Sequence, residues 1–183
     1  MKKSFLLVAA VVMMAFAVNT NAQMAVGIQG SLALPTGDVG DLYDMGFGGT
    51  GTFLYSVTPE IQLTGSVGYL MFSGKDLYDG FDFSIIPIMV GGRYNFEAGS
   101  VKPYVSAEVG LAMSSMSGEV SFYGYTYEVD ESGSDFAIAP GAGIVIPVSP
   151  NVGVDVNAKY IMVMTEGTST NIIGINAGVQ VAL

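Results

Sequence analysis

The side chains that could carry chemistry in this chain are mostly acidic. The sequence contains sixteen Asp and Glu, six Lys and Arg, no His and no Cys. Without His or Cys, a Ser-His-Asp triad, a Cys/His zinc site and a disulfide scaffold are excluded. The formal net charge of -10 argues against a nucleic-acid partner, which would require a basic surface. We therefore predict no enzyme, no cofactor and no nucleic-acid binding.

Clustered acids could still bind a cation. Two segments repeat Asp-Leu-Tyr-Asp, and each has a third Asp three residues away. Calcium prefers clustered oxygen ligands of this kind, but neither spacing fits an EF-hand loop. The alternative is a solvated acidic rim without a specific metal site. The possible cation-binding residues are Asp38, Asp41, Asp44, Asp76, Asp79 and Asp82.

The N-terminal segment, residues 1–22, has the order of a secretory signal peptide. Lys2 and Lys3 are followed by the apolar run Phe5–Val18 and by a small polar ending at Ala22. The alternative is a membrane anchor, but this run is shorter than the ~20 residues that a helical span requires. We expect cleavage near Ala22, export of the chain, and a mature domain over residues 23–183.

Beyond this segment the hydrophobicity alternates with a period of two. No later apolar run is long enough for a helical membrane span. Large apolar side chains alternate instead with small or polar ones, which indicates strands whose two faces meet different environments. Eight strands are predicted, at about 24–34, 47–57, 61–72, 83–96, 103–114, 135–148, 152–163 and 171–183.

The connections between these strands alternate between short and long. An even number of strands with short turns at one end and longer loops at the other is typical of a transmembrane β-barrel. Closure is required, because an open sheet edge in lipid would leave backbone groups unpaired. A soluble β-sandwich or lipocalin-like barrel also alternates, but neither face here has the charge of a soluble exterior. The short connections are 58–60, 97–102 and 149–151, and the long ones are 35–46, 73–82, 115–134 and 164–170.

We therefore predict an all-β fold, an eight-stranded antiparallel up-and-down transmembrane β-barrel. The apolar face of each strand would meet lipid, so the other face would line the lumen. The interior of an eight-stranded barrel is just wide enough for side chains to fill. The polar residues predicted to face the lumen are Gln29, Gln62, Arg93, Tyr104, Glu108, Asp155, Asn157, Lys159, Asn176 and Gln180.

Four of these lumen residues are charged. Arg93 and Glu108 lie on neighbouring strands, where a contact between them is reachable. Asp155 and Lys159 are about 13 Å apart along one strand, too far for a direct pair unless Arg93 or Glu108 bridges them. Two bases and two acids would form a charge-neutral polar plug. The alternative is a gate or a permeation path for small solutes.

The last strand resembles the C-terminal signal by which the assembly machinery recognises bacterial outer-membrane barrels. The signal positions would be Asn176, Gly178, Val181 and Leu183. The family usually ends in Phe, whereas this chain ends in Leu183. This resemblance implies the barrel-assembly machinery as a partner.

The mature chain also resembles the small outer-membrane β-barrel family, labelled "porin family" or "outer membrane protein beta-barrel domain". Its marks are the Gly-rich first strand, the segment from Ile86 to Phe96, and Lys102–Val105 at the start of the next strand. Its size is similar to that of OmpX-type or OmpA-type barrels. The resemblance implies a location in the outer membrane and contact with outer-membrane lipid. The filled lumen and the acidic segment 115–134 predict a structural or surface-interaction role. The alternative is a narrow porin-like channel.

The segment 115–134 predicts a further feature of the outer end. It contains two short alternating stretches around Tyr123-Gly124, so the fifth and sixth strands would continue beyond the membrane as a protruding hairpin. Its strand edge could recruit a surface protein by β-augmentation, in the manner proposed for OmpX-type barrels. The alternative is a self-paired hairpin without a partner.

If the long loops lie outside, twelve of the sixteen acids are in or beside these loops.

Overall fold

The computed structural model describes residues 24–37, 40, 42–74, 81–96, 99–122, 125–165 and 168–183. The segment 1–22 lies outside the described residues, so the signal peptide stays a prediction. Among the residues described, no helix is long and apolar enough to cross a membrane. The strands are β1 (Met24–Thr36), β2 (Gly46–Ser56), β3 (Ile61–Ser73), β4 (Phe81–Asn95), β5 (Lys102–Phe122), β6 (Tyr125–Pro147), β7 (Val152–Thr165) and β8 (Thr168–Ala182).

These strands form one closed antiparallel barrel. Each strand pairs with its neighbours in sequence, and β1 pairs with β8 to complete the ring. The closing seam runs from the pair Ala25–Ala182 to the pair Thr36–Asn171. The predicted eight-stranded up-and-down barrel is therefore confirmed. Closure gives the backbone groups of every strand partners on both sides within the membrane band.

The strands are longer than predicted at the end with the long connections. The predicted loop 164–170 is wrong in length, because only residues 166–167 separate β7 from β8. In the segment 115–134, β5 continues to Phe122 and β6 begins at Tyr125. The protruding β5–β6 hairpin is confirmed, with pairing up to Phe122 and Tyr125. The extended parts of β5 and β6 include the two alternating stretches that predicted this hairpin.

The outward face carries large apolar side chains, as a lipid-facing band requires. Ile28 and Val90 are 70% and 60% exposed. Near the tight turns, Tyr94 and Phe96 form an edge-to-face pair with ring centres 5.0 Å apart, consistent with an interfacial aromatic girdle. At the other end, the outward face of β4–β6 changes to a row of paired serines, which indicates the upper edge of the apolar band. This row is Ser84, Ser115 and Ser132.

The interior is divided along the barrel axis. Toward the tight turns it is polar, as predicted, but toward the long connections it is apolar. Leu70 and Phe72, expected on a small or polar face, are buried in this apolar cluster. Tyr43, from the β1–β2 connection, caps the cluster and packs 5.1 Å from Phe83, ring centre to ring centre. The cluster comprises Ala33, Tyr43, Leu70, Phe72, Ile85, Met89, Ala112, Ala137, Ala139, Ile161, Val163 and Ile172, with Phe83 against it.

Closure depends on a close backbone approach at Gly178. A Cβ atom there would overlap the carbonyl oxygen of Ile28 and lie 2.5 Å from the Cα of Gln29 across the β1–β8 seam. We expect Gly178→Ala to lower the free energy of unfolding by about 1–3 kcal/mol, the usual cost of overpacking. Urea unfolding of the barrel refolded in micelles, without assembly machinery, measures this loss.

Gly30 supplies the matched control on the same seam. A Cβ atom at Gly30 would meet only the carbonyl oxygen of Ala177, at 3.9 Å. Gly30→Ala should therefore unfold at the same urea concentration as the native chain. Equal losses in the two variants would contradict the close approach at Gly178.

Candidate functional site

Arg93 of β4 lies at the centre of the polar half of the lumen. Its Nε donates to Gln62 Oε1, and its two terminal nitrogens donate to Asp155 Oδ2 (3.3 Å) and Gln180 Oε1 (3.1 Å). The guanidinium carbon also lies 4.6 Å from the ring centre of Tyr104. These partners stand on β3, β7, β8 and β5, so one side chain connects the walls of the barrel.

Asp155 completes this network from the opposite wall. Its Oδ1 accepts hydrogen bonds from the hydroxyl of Tyr104 (2.8 Å) and the amide of Asn157 (3.2 Å). Asn157 Oδ1 in turn accepts from the amide of Asn176 at 2.8 Å. A buried carboxylate is tolerated only when it is paired and hydrogen-bonded, and the carboxylate of Asp155 meets both conditions.

A second ion pair lies closer to the middle of the lumen. Lys159 Nζ of β7 donates to Glu108 Oε2 of β5 at 2.7 Å, and the hydroxyl of Ser66 donates to the same oxygen at 3.2 Å. Glu108 is only 2% exposed. Because each cation has an acidic partner, the four interior charges cancel.

The structure does not form the contact between Arg93 and Glu108 that the sequence allowed. In the β4–β5 register, Arg93 faces Ser106 while Glu108 faces Gly91, two residues further along. The guanidinium extends toward the tight turns and pairs with Asp155 across the lumen. Glu108 pairs with Lys159 instead of Arg93. The sequence allowed Arg93 or Glu108 to bridge Asp155 and Lys159, but it did not predict which acid each cation would meet across the barrel.

The other residues of the predicted lumen set occupy positions consistent with their parity. Gln29 is buried at 7% exposure. Gln62 and Gln180 are half-buried and hydrogen-bonded to Arg93. Sequence reasoning missed Asn95, whose amide donates to Gln62 Oε1 at 2.9 Å. Asn95 occupies an inward position on β4, two residues beyond Arg93, so the same parity would have found it.

The four positions of the proposed assembly signal divide between the two faces of β8. Asn176 is buried in the lumen network and Gly178 lies against β1. Val181 and Leu183 are exposed on the outside, at 37% and 73%. Their recognition by an assembly machinery stays a prediction.

Most of the candidate cation-binding acids cannot be located in the described structure. Asp44 is described and exposed, and its amide donates to the carbonyl of Ser73 at 3.0 Å. Within the described ranges, no group of three or more Asp, Glu, His or Cys could hold a metal ion. The cation site therefore stays a prediction. Outside the described residues lie Asp38, Asp41, Asp76 and Asp79, and the side chain of Asp82.

Little space is left between the polar network and the apolar cluster. A void of about 30 Å³ lies there. It is bordered by Ser66, Glu108 and Lys159 on the side of the tight turns and by Leu70 and Met89 on the side of the long connections. This is roughly the share of volume that one water molecule takes in the liquid. By contrast, a cup of about 490 Å³ opens at the tight-turn end, with Arg93 among the residues that line it.

The buried ion pair between Glu108 and Lys159 should contribute to the stability of the barrel. Lys159→Met would leave the carboxylate of Glu108 buried without its cation, so we expect unfolding free energy to fall by about 3–5 kcal/mol. The double variant Glu108→Gln/Lys159→Met should lose less than Lys159→Met alone, because no uncompensated charge remains. Urea unfolding of the refolded barrel measures the losses of Lys159→Met, of Glu108→Gln alone and of the double variant, which complete a double-mutant cycle.

Lys102→Met is the control for this double-mutant cycle, since the exposed Lys102 forms no ion pair among the described residues. Its unfolding free energy should stay within about 0.5 kcal/mol of the native value. Strictly additive losses in the cycle would show that Glu108 and Lys159 do not interact.

Comparison with known proteins agrees with this architecture. The family model "Outer membrane protein beta-barrel domain" matches residues 4–180. A search of curated proteins finds no match. Among solved structures, Neisserial surface protein A is similar over 86% of this chain and 96% of its own, with 20% identity and a TM-score of 0.65.

Two further solved structures have the same fold. Ail, the attachment invasion locus protein of Yersinia pestis, in complex with the heparin analogue sucrose octasulfate, has 17% identity and a TM-score of 0.55, covering 88% of this chain and 97% of its own. A major outer membrane protein from Thermus thermophilus has 10% identity and a TM-score of 0.61, covering 87% and 99%. At these identities the likeness concerns the fold alone. Because the family model spans nearly the whole sequence, this chain belongs to the outer membrane protein beta-barrel domain family.

Proposed function

We propose that this outer-membrane barrel has a structural and surface-interaction role, with a plugged lumen, acidic extracellular loops and a contact surface on the β5–β6 hairpin. The observation that carries the proposal is that the two hairpin strands are paired with their outer neighbours over different lengths. β5 is paired with β4 as far as Gly118, whereas the pairing of β6 with β7 stops at Phe136. Among the described residues, 125–135 thus form a strand with one unpaired edge.

An unpaired strand edge can bind an extended segment of another protein through backbone hydrogen bonds. The sequence of this edge includes Glu128, Asp130 and Glu131, which favours a partner strand with basic side chains.

The names of two similar structures agree with such a role, although they describe those proteins. One is a surface protein and the other an attachment invasion locus protein. At 20% and 17% identity, they indicate only that this fold serves surface contact elsewhere. The proposal for this chain depends on its own hairpin.

A role without catalysis is part of the proposal. The sequence supplies no His or Cys to act as base or nucleophile. The interior carboxylates of Glu108 and Asp155 are each held by a cation and by hydrogen bonds, so neither is positioned as a free general base. These features support a binding or structural protein over a hydrolase.

Deletion of residues 117–132 tests the hairpin. After the deletion, residues 115–116 would form a short turn between the paired residues Ser114 and Gly133. We therefore expect the barrel to fold as before. Cells displaying the native protein should bind an immobilised peptide of alternating Lys and Val, and the deletion should reduce this binding to the level of cells without the protein. The same peptide with a central proline is the control, because proline cannot add to a strand ladder.

The triple variant Glu128→Gln/Asp130→Asn/Glu131→Gln separates charge from the strand edge. It keeps the backbone edge and should weaken peptide binding, most visibly at low salt. The heat-modifiable mobility of the deletion variant on gels shows whether its barrel is folded. If the folded deletion variant still binds the peptide as the native protein does, the proposed contact surface is contradicted.

Planar-bilayer recordings test the plugged lumen against the alternative of a narrow channel. The apolar cluster and the two ion pairs leave no wide polar path through the described interior. We expect no stable conductance steps from the native barrel. Reproducible single-channel steps would favour the small-solute channel instead.

A further inference from the structure

The cup at the tight-turn end has a lining that differs from the rest of this acidic chain. Its volume of about 490 Å³ lies within the range of small-ligand sites, and barrel mouths are a common place for such sites. Among the described residues, Arg93 and Lys102 both line it, and no Asp or Glu does. Because Arg93 is paired with Asp155, Lys102 is the cation of this lining without an acidic partner among the described residues.

The hydrogen-bonding groups of the cup also favour an acceptor-rich ligand. Gln62 is occupied, since its Oε1 accepts from Arg93 and Asn95 and its Nε2 donates to Ser56. Several donors are not occupied among the described residues. Arg93 has five N–H groups and uses three, and neither Lys102 Nζ nor Gln180 Nε2 donates to any described residue.

The floor of the cup keeps these donors in place. The guanidinium of Arg93 is fixed by Gln62, Asp155 and Gln180, so its remaining N–H groups are preorganised. Lys102 shares the inward face of β5 with Tyr104, two residues away. The exposed ammonium of Lys102 and the guanidinium of Arg93, which is paired with Asp155, line the same cup. Because the described lining contains no carboxylate, their free N–H groups match the requirements of a small oxyanion.

We propose that this cup binds a small soluble anion that carries a phosphate or carboxylate group. Arg93 and Gln180 would donate to the oxyanion from the floor, and Lys102 would close over it from the wall. The ligand would enter from the end with the tight turns, which is the periplasmic end in bacterial outer-membrane barrels. This site is at the opposite end from the hairpin, so it does not depend on the proposed surface contact.

Inorganic phosphate is the probe for the test. The full mature chain, labelled with ¹⁵N and refolded in micelles of an uncharged detergent, is titrated with phosphate while sodium chloride keeps the ionic strength constant. We expect saturable shifts of the Gln180 side-chain amide and the Arg93 Nε resonances. Lys102→Met removes one charge-assisted donor and should weaken binding about tenfold.

Two further variants make the test specific. Gln180→Glu replaces an amide by a carboxylate that can still accept from Arg93, so the fold should persist while phosphate binding is lost. Lys75→Met makes the same charge change as Lys102→Met. In the sequence, Lys75 stands between β3 and β4, and the strand ends Ser73 and Phe81 lie at the end of the barrel opposite the cup. The Lys75→Met variant should bind phosphate like the native chain.

Three results would overturn the proposal. The first is the absence of saturable shifts in the native chain. The second is equal weakening by Lys75→Met and Lys102→Met, which would indicate a general effect of net charge. The third is a shift of the Gln180 and Arg93 resonances that occurs only when the micelles contain an anionic phospholipid. That result would assign the site to a lipid headgroup.

Discussion

The closing of β1 onto β8 is the constraint on which the rest of the molecule depends. In hydrocarbon, a strand edge without partners would leave its N–H and C=O groups unsatisfied, so the sheet must close. With eight strands, the ring is so narrow that its interior is filled by side chains. The close approach at Gly178, the buried ion pairs and the apolar cluster all follow from that narrow ring.

A narrow interior limits where charge can be placed. Desolvation of a single buried charge is costly, so each charge requires a partner within reach. Strand β7 carries both Asp155 and Lys159, and their partners Arg93 and Glu108 stand on β4 and β5 in the matching order along the axis. A slip of β7 by two residues would keep its polar face inward but would separate both pairs. The charges therefore help to fix the strand register, in addition to neutralising one another.

The sequence predicted which way each side chain faces, but not how deep in the barrel it lies. The period of two placed Ile28 outside and Gln29 inside, because parity is a local property of a strand. Depth depends on the tilt and stagger of all eight strands, which no single segment encodes. For that reason the partner of Arg93 and the apolar character of the lumen around Phe72 were missed. The extension of β5 and β6 was predicted from two alternating stretches, whereas the tight β7–β8 connection was missed because the segment 164–170 has no apolar alternation.

The distribution of charge along the axis gives the barrel two unlike ends. The cup at the tight turns presents Arg93 and Lys102, whereas most of the acids lie in or beside the long connections. An anion attracted into the cup would have to pass the apolar cluster and then leave through a field of its own sign. A cation entering from the acidic end would meet the same cluster and then Arg93. Under the proposed function, the charge distribution and the apolar cluster would both oppose the permeation of ions of either sign, and each end would bind a ligand of opposite charge.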